Sequence, residues 1–184
     1  MNNILRKIEY DNETYYYVNN QFLDSNFLVV DTNTSQKLAN QYFKKINYHS
    51  LNMLDLLNFI TELKTAEAYL LVIEVGEYGM HRFGSDREFA SIVLPMMTSS
   101  YRKLNMPRRA INFAEVYLQK YPYILRSSGA LCNSLAAAYC DIKDYHKAKR
   151  YADLSFAINK KDGKFSSELH AVYARLEQEA GEIL

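Results

Sequence analysis

The chain has 184 residues, of which 48% are hydrophobic and 23% charged, and 22 basic residues against 21 acidic ones leave a net charge of +1. That length is enough for one sizeable core, or for a small domain with a repeat array. So even a balance supplies no overall field that would select nucleic acid, a membrane surface or an acidic substrate.

The N-terminus, MNNILRKIEYDN, has no uninterrupted apolar core, so no secretory signal is expected. Residues 1–31 alternate apolar and aromatic runs with turn formers, a pattern suited to short strands. Asp11-Asn12 and Asn19-Asn20 tolerate the left-handed backbone that tight hairpins need. A small antiparallel β-meander of three or four strands is predicted, docked on the helices that follow because it is too small to stand alone.

From Thr34 the apolar period changes to three and four. Ser35 is the expected N-cap of a helix carrying Leu38, Ala39, Tyr42, Phe43 and Ile46. Ser50 is the expected cap of the next, with Met53, Leu54, Leu57, Ile60 and Leu63 on its inner side. Thr65–Met80 reads as a third helix, weakened at its end by Gly76 and Gly79. Its run Ala68–Val75 is too short to span a bilayer. After a break at Phe83–Ser85, Ser85 or Asp86 caps a further helix. Residues 34–184 therefore read as seven or eight helices joined by short turns, an α-solenoid or antiparallel helix-turn-helix array. The segments 51–63 and 65–80 are candidates for a divergent repeat.

The clearest unit is 127–161. Leu131, Leu135, Ala138 and Ile142 share one helical face, and Tyr145, Ala148, Ala152 and Phe156 share the next. Small residues at 136–138, 148 and 152 let the two backbones approach closely. Cys132 and Cys140 lie on one predicted helix, roughly 12 Å apart, too far to bridge. They fit a reducing compartment, and a cytoplasmic protein is expected.

Tyr139, Tyr145 and Ala148 stand in the order typical of a tetratricopeptide repeat, and Tyr173 follows Tyr139 by one family period, about 34 residues. Tyr101, Leu104, Ala110 and the closing Pro122 form an upstream copy. The stretch 86–122, the stretch 127–161 and a final helix over 164–181 resemble that family. Five features depart from its pattern: Leu94 or Cys132 stands where a large aromatic is expected early in the first helix and Thr98 or Ala136 where a glycine is expected next, and three more follow. Pro107 stands where an aromatic is usual, Pro95 falls inside a predicted helix that it should start or kink, and the connection YPYILRSSG is about one turn longer than usual. The resemblance implies a concave groove, lined by the first helix of each pair, that takes a peptide or a partner helix. Its positions here are Ser99, Arg102, Asn133, Ala137, Ser167, Ala171 and Arg175. They lack the lysine- and asparagine-rich pattern that clamps a C-terminal carboxylate.

Enzyme signatures are missing. His49, His81, His146 and His170 have no second ligand at metal spacing, and CxxC does not occur. Glu74 and Glu77 read as a solvated helix face. No phosphate loop, dinucleotide fingerprint or nucleophile elbow is present, and no cofactor is expected. A non-enzymatic adaptor that binds a protein or peptide is the leading reading. One alternative is a regulator touching nucleic acid through a basic edge, Arg108, Arg109, Lys143, Lys147, Lys149 and Arg150, continued by Lys160, Lys161 and Lys164. Another is a structural protein pairing as a homodimer through an open end of the array.

Overall fold

A computed structural model describes residues 5–162 and 167–182. The chain is mostly helical, with a small antiparallel sheet at its N-terminal end. It divides into two compact units, Met1–His81 and Arg82–Leu184.

The first unit opens on strands β1 (Arg6–Tyr10), β2 (Glu13–Val18) and β3 (Gln21–Leu23), paired antiparallel in chain order. Both hairpins turn on two residues of positive φ, Asp11 (53°) with Asn12 (63°) and Asn19 (50°) with Asn20 (61°). Short polar side chains bear that conformation best, and its twist suits the flanking strands. The register sets Ile8 opposite Tyr15 and Tyr17 opposite Phe22, so all four share a face, and that face is buried. Helix α1 (Thr32–Phe43) lies against it. The Tyr17 ring is 4.6 Å from Tyr42 and 5.7 Å from Phe43, and Phe43 is 5.6 Å from Phe59 of α2 (Met53–Thr65). Tyr17 also donates to Glu62 at 2.7 Å. The meander docks on helices, as its size demands.

Several expected boundaries move. Asp31, not Ser35, caps α1, accepting from the Asn33 and Thr34 amides, while Ser35 is buried. Asn52, not Ser50, caps α2, accepting from Asp55 N. Thr65 closes α2 rather than opening the next helix, and α3 (Tyr69–Phe83) runs past Gly76 and Gly79 and carries His81. Leu54, expected inside, is 64% exposed, and Ile46 and Phe156 are exposed too.

The second unit holds α4 (Arg87–Lys103), α5 (Pro107–Lys120), α6 (Tyr123–Ser127), α7 (Gly129–Asp141), α8 (Tyr145–Asp162) and α9 (Ser167–Glu182). Residues 164–166, where the final helix was expected to start, lie outside the described residues. Asp86 caps α4 by accepting from Phe89 N. Helix α7 is central: it packs on α4, α5, α8 and α9, and every residue from Leu131 to Cys140 is buried. Its alanines Ala136, Ala137 and Ala138, and Ala148 and Ala152 of α8, are buried where the two helices pack. A Cβ added at Gly129 would collide with the Asn159 side chain, and Ser155 Oγ donates to the Gly129 carbonyl at 2.9 Å, so α8 passes close by here. Ala148→Leu should cost about 1–3 kcal/mol by overpacking this contact. An unchanged denaturation midpoint would mean the contact yields freely.

The long connection after α5 folds into α6, which buries Ile124. Pro95 neither starts nor ends α4, which continues through it. Proline has no N–H, so the carbonyl four residues earlier, Ser91, loses its helical donor. Ser128 Oγ, from the N-cap of α7, donates to that carbonyl at 3.3 Å and accepts from Leu131 N at 3.2 Å.

One turn recurs between helices. Glu67 (φ 57°), Asn105 (58°) and Lys143 (64°) follow α2, α4 and α7, and the three are evenly spaced in the chain. In each case the next amide reaches back five residues: Ala68 to Leu63, Met106 to Tyr101 and Asp144 to Tyr139, all at 2.9 Å. This is the Schellman arrangement, which satisfies the last carbonyls of a helix. Helices α3, α5 and α8 start at Tyr69, Pro107 and Tyr145, at the same interval. None of the three left-handed residues is glycine, although a side chain there carries strain. Lys143→Gly should raise stability by about 0.5–1 kcal/mol, the relieved strain outweighing the added freedom of the unfolded chain. A lower unfolding midpoint would contradict this.

Candidate functional site

The proposed groove positions fall on α4, α7 and α9, and the structure links three of them. Arg102, in the last turn of α4, donates through Nε to Asp141 Oδ2 at 2.8 Å and through Nη1 to Glu168 Oε1 at 3.1 Å. Arg175 Nη1 reaches the other Asp141 oxygen at 2.9 Å. Asn133 Nδ2 donates to Glu168 Oε2 at 3.0 Å. Asp141 thus takes one arginine on each oxygen, and Glu168 takes Arg102 and Asn133. Three helices are tied by one alternating network.

This corrects the picture of an open wall. Asn133 and Ala137, expected at the surface, are 3% and 2% exposed. The face that the apolar period left vacant on α7 is covered by its neighbours, with Glu168 from α9 above Asn133. Ser99 is half-buried and donates to the Met96 carbonyl at 3.2 Å. Ser167, Ala171 and Arg175 are exposed along α9. Sequence reasoning overlooked Glu168 altogether. The alternation of Arg102, Asp141 and Arg175 across three predicted helices was the available signal.

Tyrosines tie α7 and α9 each to an earlier helix. Tyr139 donates to Glu115 of α5 at 2.6 Å, and Tyr173 to Asp153 of α8 at 2.9 Å. Burial raises the pKa of both, and the carboxylate partner adds to it, so that Tyr173 reaches about 12. Both stay protonated donors at neutral pH. Tyr139 also stacks on Tyr151, with ring centroids 5.4 Å apart and planes 9° from parallel. Burial likewise pushes the Cys132 thiol up to about 12, which makes it a poor nucleophile.

The basic edge divides in two. Lys147 pairs with Asp144 at 3.7 Å and Lys149 with Asp153 at 3.0 Å. Arg108, Arg109, Lys143 and Arg150 are exposed and, among the described residues, form no ion pair. The side chains of Lys161 and Lys164 lie outside the described residues. Arg108 and Arg109 border a cavity of about 600 Å³, bounded by the α4–α5 turn and by Asp141 and Ile142 at the end of α7. Among the described residues no helix is long and apolar enough to cross a membrane, and no group of three His, Cys, Asp or Glu could hold a metal ion. The chain matches no protein family, no curated protein and no solved structure.

Proposed function

We propose that the chain is a non-enzymatic interaction protein of tetratricopeptide-like helix pairs, acting as an adaptor for a protein or peptide. The observation that carries this reading is the recurrence of one Schellman turn at a fixed interval, at Glu67, Asn105 and Lys143. Recurrence of a turn together with its flanking helices is what a repeat protein requires, and such proteins place equivalent surfaces side by side for extended partners. The Tyr139–Glu115 and Tyr173–Asp153 bonds, each from a first helix to the preceding second helix, support it further. The exposed side of α9 carries His170, Ala174, Glu177 and Gln178, a mostly polar surface that does not favour self-pairing through an apolar face.

The test is site-directed photocrosslinking. A crosslinker at Ser99 or Ala171 in the full chain should capture a partner protein from lysate, and one at Asn12 on the hairpin should not. Capture only at Asn12, or from neither helical position, would remove the helix pairs from the role.

A further inference from the structure

We infer that the cavity beside Arg108 and Arg109 is a docking pocket for an acidic segment of a partner protein. The inference rests on the interaction reading above and adds the chemistry of the partner. At about 600 Å³ the cavity can seat one or two side chains of a peptide. Arg108 and Arg109 supply two planar forks of donors, the geometry that matches a carboxylate. Their charge is not neutralised within the described residues. Asp141, the acidic residue in the lining, already gives its oxygens to Arg102 and Arg175. Lys143, next to Ile142, adds a third cation without an ion pair among the described residues. Met106, Pro107 and Ile142 are half-buried apolar lining for a neighbouring aliphatic side chain.

Charge distribution favours a peptide over nucleic acid. A phosphate backbone needs a run of open cations. Here Asp144 and Asp153 occupy Lys147 and Lys149, so the run of open charge along the edge is interrupted. The net charge of +1 gives no wider attraction.

Fluorescence anisotropy of a labelled peptide alternating Glu with Leu, titrated with the full chain, tests the pocket. Binding should be salt-sensitive, weaken about tenfold or more in Arg108→Glu/Arg109→Glu, and be unchanged in Lys149→Glu/Arg150→Glu. If the reversal unfolds the chain by circular dichroism, Arg108→Gln/Arg109→Gln serves in its place. Equal binding of a Gln–Leu peptide, full affinity in the arginine variant, or tighter binding of oligothymidine than of the acidic peptide would each overturn the inference. A partner captured at Ser99 or Ala171 whose affinity ignores both arginines would also defeat the pocket, while leaving the interaction reading in place.

Discussion

Gln36→Ala is expected to destabilise the chain by about 2–4 kcal/mol, read as a fall in the denaturation midpoint. Gln36 sits in the first turns of α1 at 8% exposure. Its Nε2 donates to the Glu67 carbonyl, and its Oε1 accepts from the Leu70 amide at 2.9 Å. Beside it Ser35 Oγ donates to the Ala66 carbonyl, and Thr32 Oγ1 to the Glu67 carboxylate at 2.7 Å. One helix start thus satisfies the turn that joins α2 to α3. Truncation to alanine strands the Leu70 donor and the Glu67 acceptor, both part-buried, so each costs toward the lower part of the roughly 1–3 kcal/mol that an unmade buried bond would. Gln36→Glu should fare no better, since it sets an acceptor against the Glu67 carbonyl. The exposed neighbour Lys37→Ala is the control and should stay within about 0.5 kcal/mol. Equal midpoints for Gln36→Ala and Lys37→Ala would mean that water replaces the amide.

The second large effect belongs to Arg102→Ala with Asn133→Ala. Read from sequence as surface positions, they should change stability by less than about 1 kcal/mol. The structure raises this to about 2–5 kcal/mol. Glu168 loses both partners, and Asp141 keeps only Arg175. The Arg102 and Asp141 side chains are 18% and 26% exposed, so solvent screens part of the loss relative to a fully buried pair. Asn133 has no such relief. Adding Glu168→Gln should change little further, because its partners are already gone. A double variant as stable as the parent chain would show that the network contributes orientation and no net stability.

Much of the fold is legible in the residues. The hairpins announce themselves through Asp11-Asn12 and Asn19-Asn20, because those side chains tolerate the backbone that the turn demands. The helices follow from apolar spacing, and Asp86 marks the start of α4. The step from Tyr101 to Tyr139 has the same length as the step from Asn105 to Lys143 in the recurring turn. What stays hidden depends on partners remote in the chain. Glu67 and Lys143 give no local sign of a left-handed backbone; the helices they join enforce it. Gln36 looks like a solvated polar residue until the α2–α3 turn lies over it. Asn133 and Ala137 sit on the vacant face of their own helix, and periodicity is silent about which later helix fills it. Arg102, Asn133 and Arg175 are linked through the carboxylates of Asp141 and Glu168, and that linkage emerges only in three dimensions.

The proline inside α4 has a geometric consequence for its neighbour. Carbonyls in the body of a helix are ordinarily engaged by the amide one turn ahead, so side-chain packing, and not the backbone, usually sets the register between two helices. Pro95 leaves the Ser91 oxygen open at a single rung, and Ser128 keys into it. Displacing α7 by one turn, about 5.4 Å, would take that hydroxyl away from the open oxygen to one already engaged. A missing hydrogen in α4 therefore adds a polar index to where α7 begins.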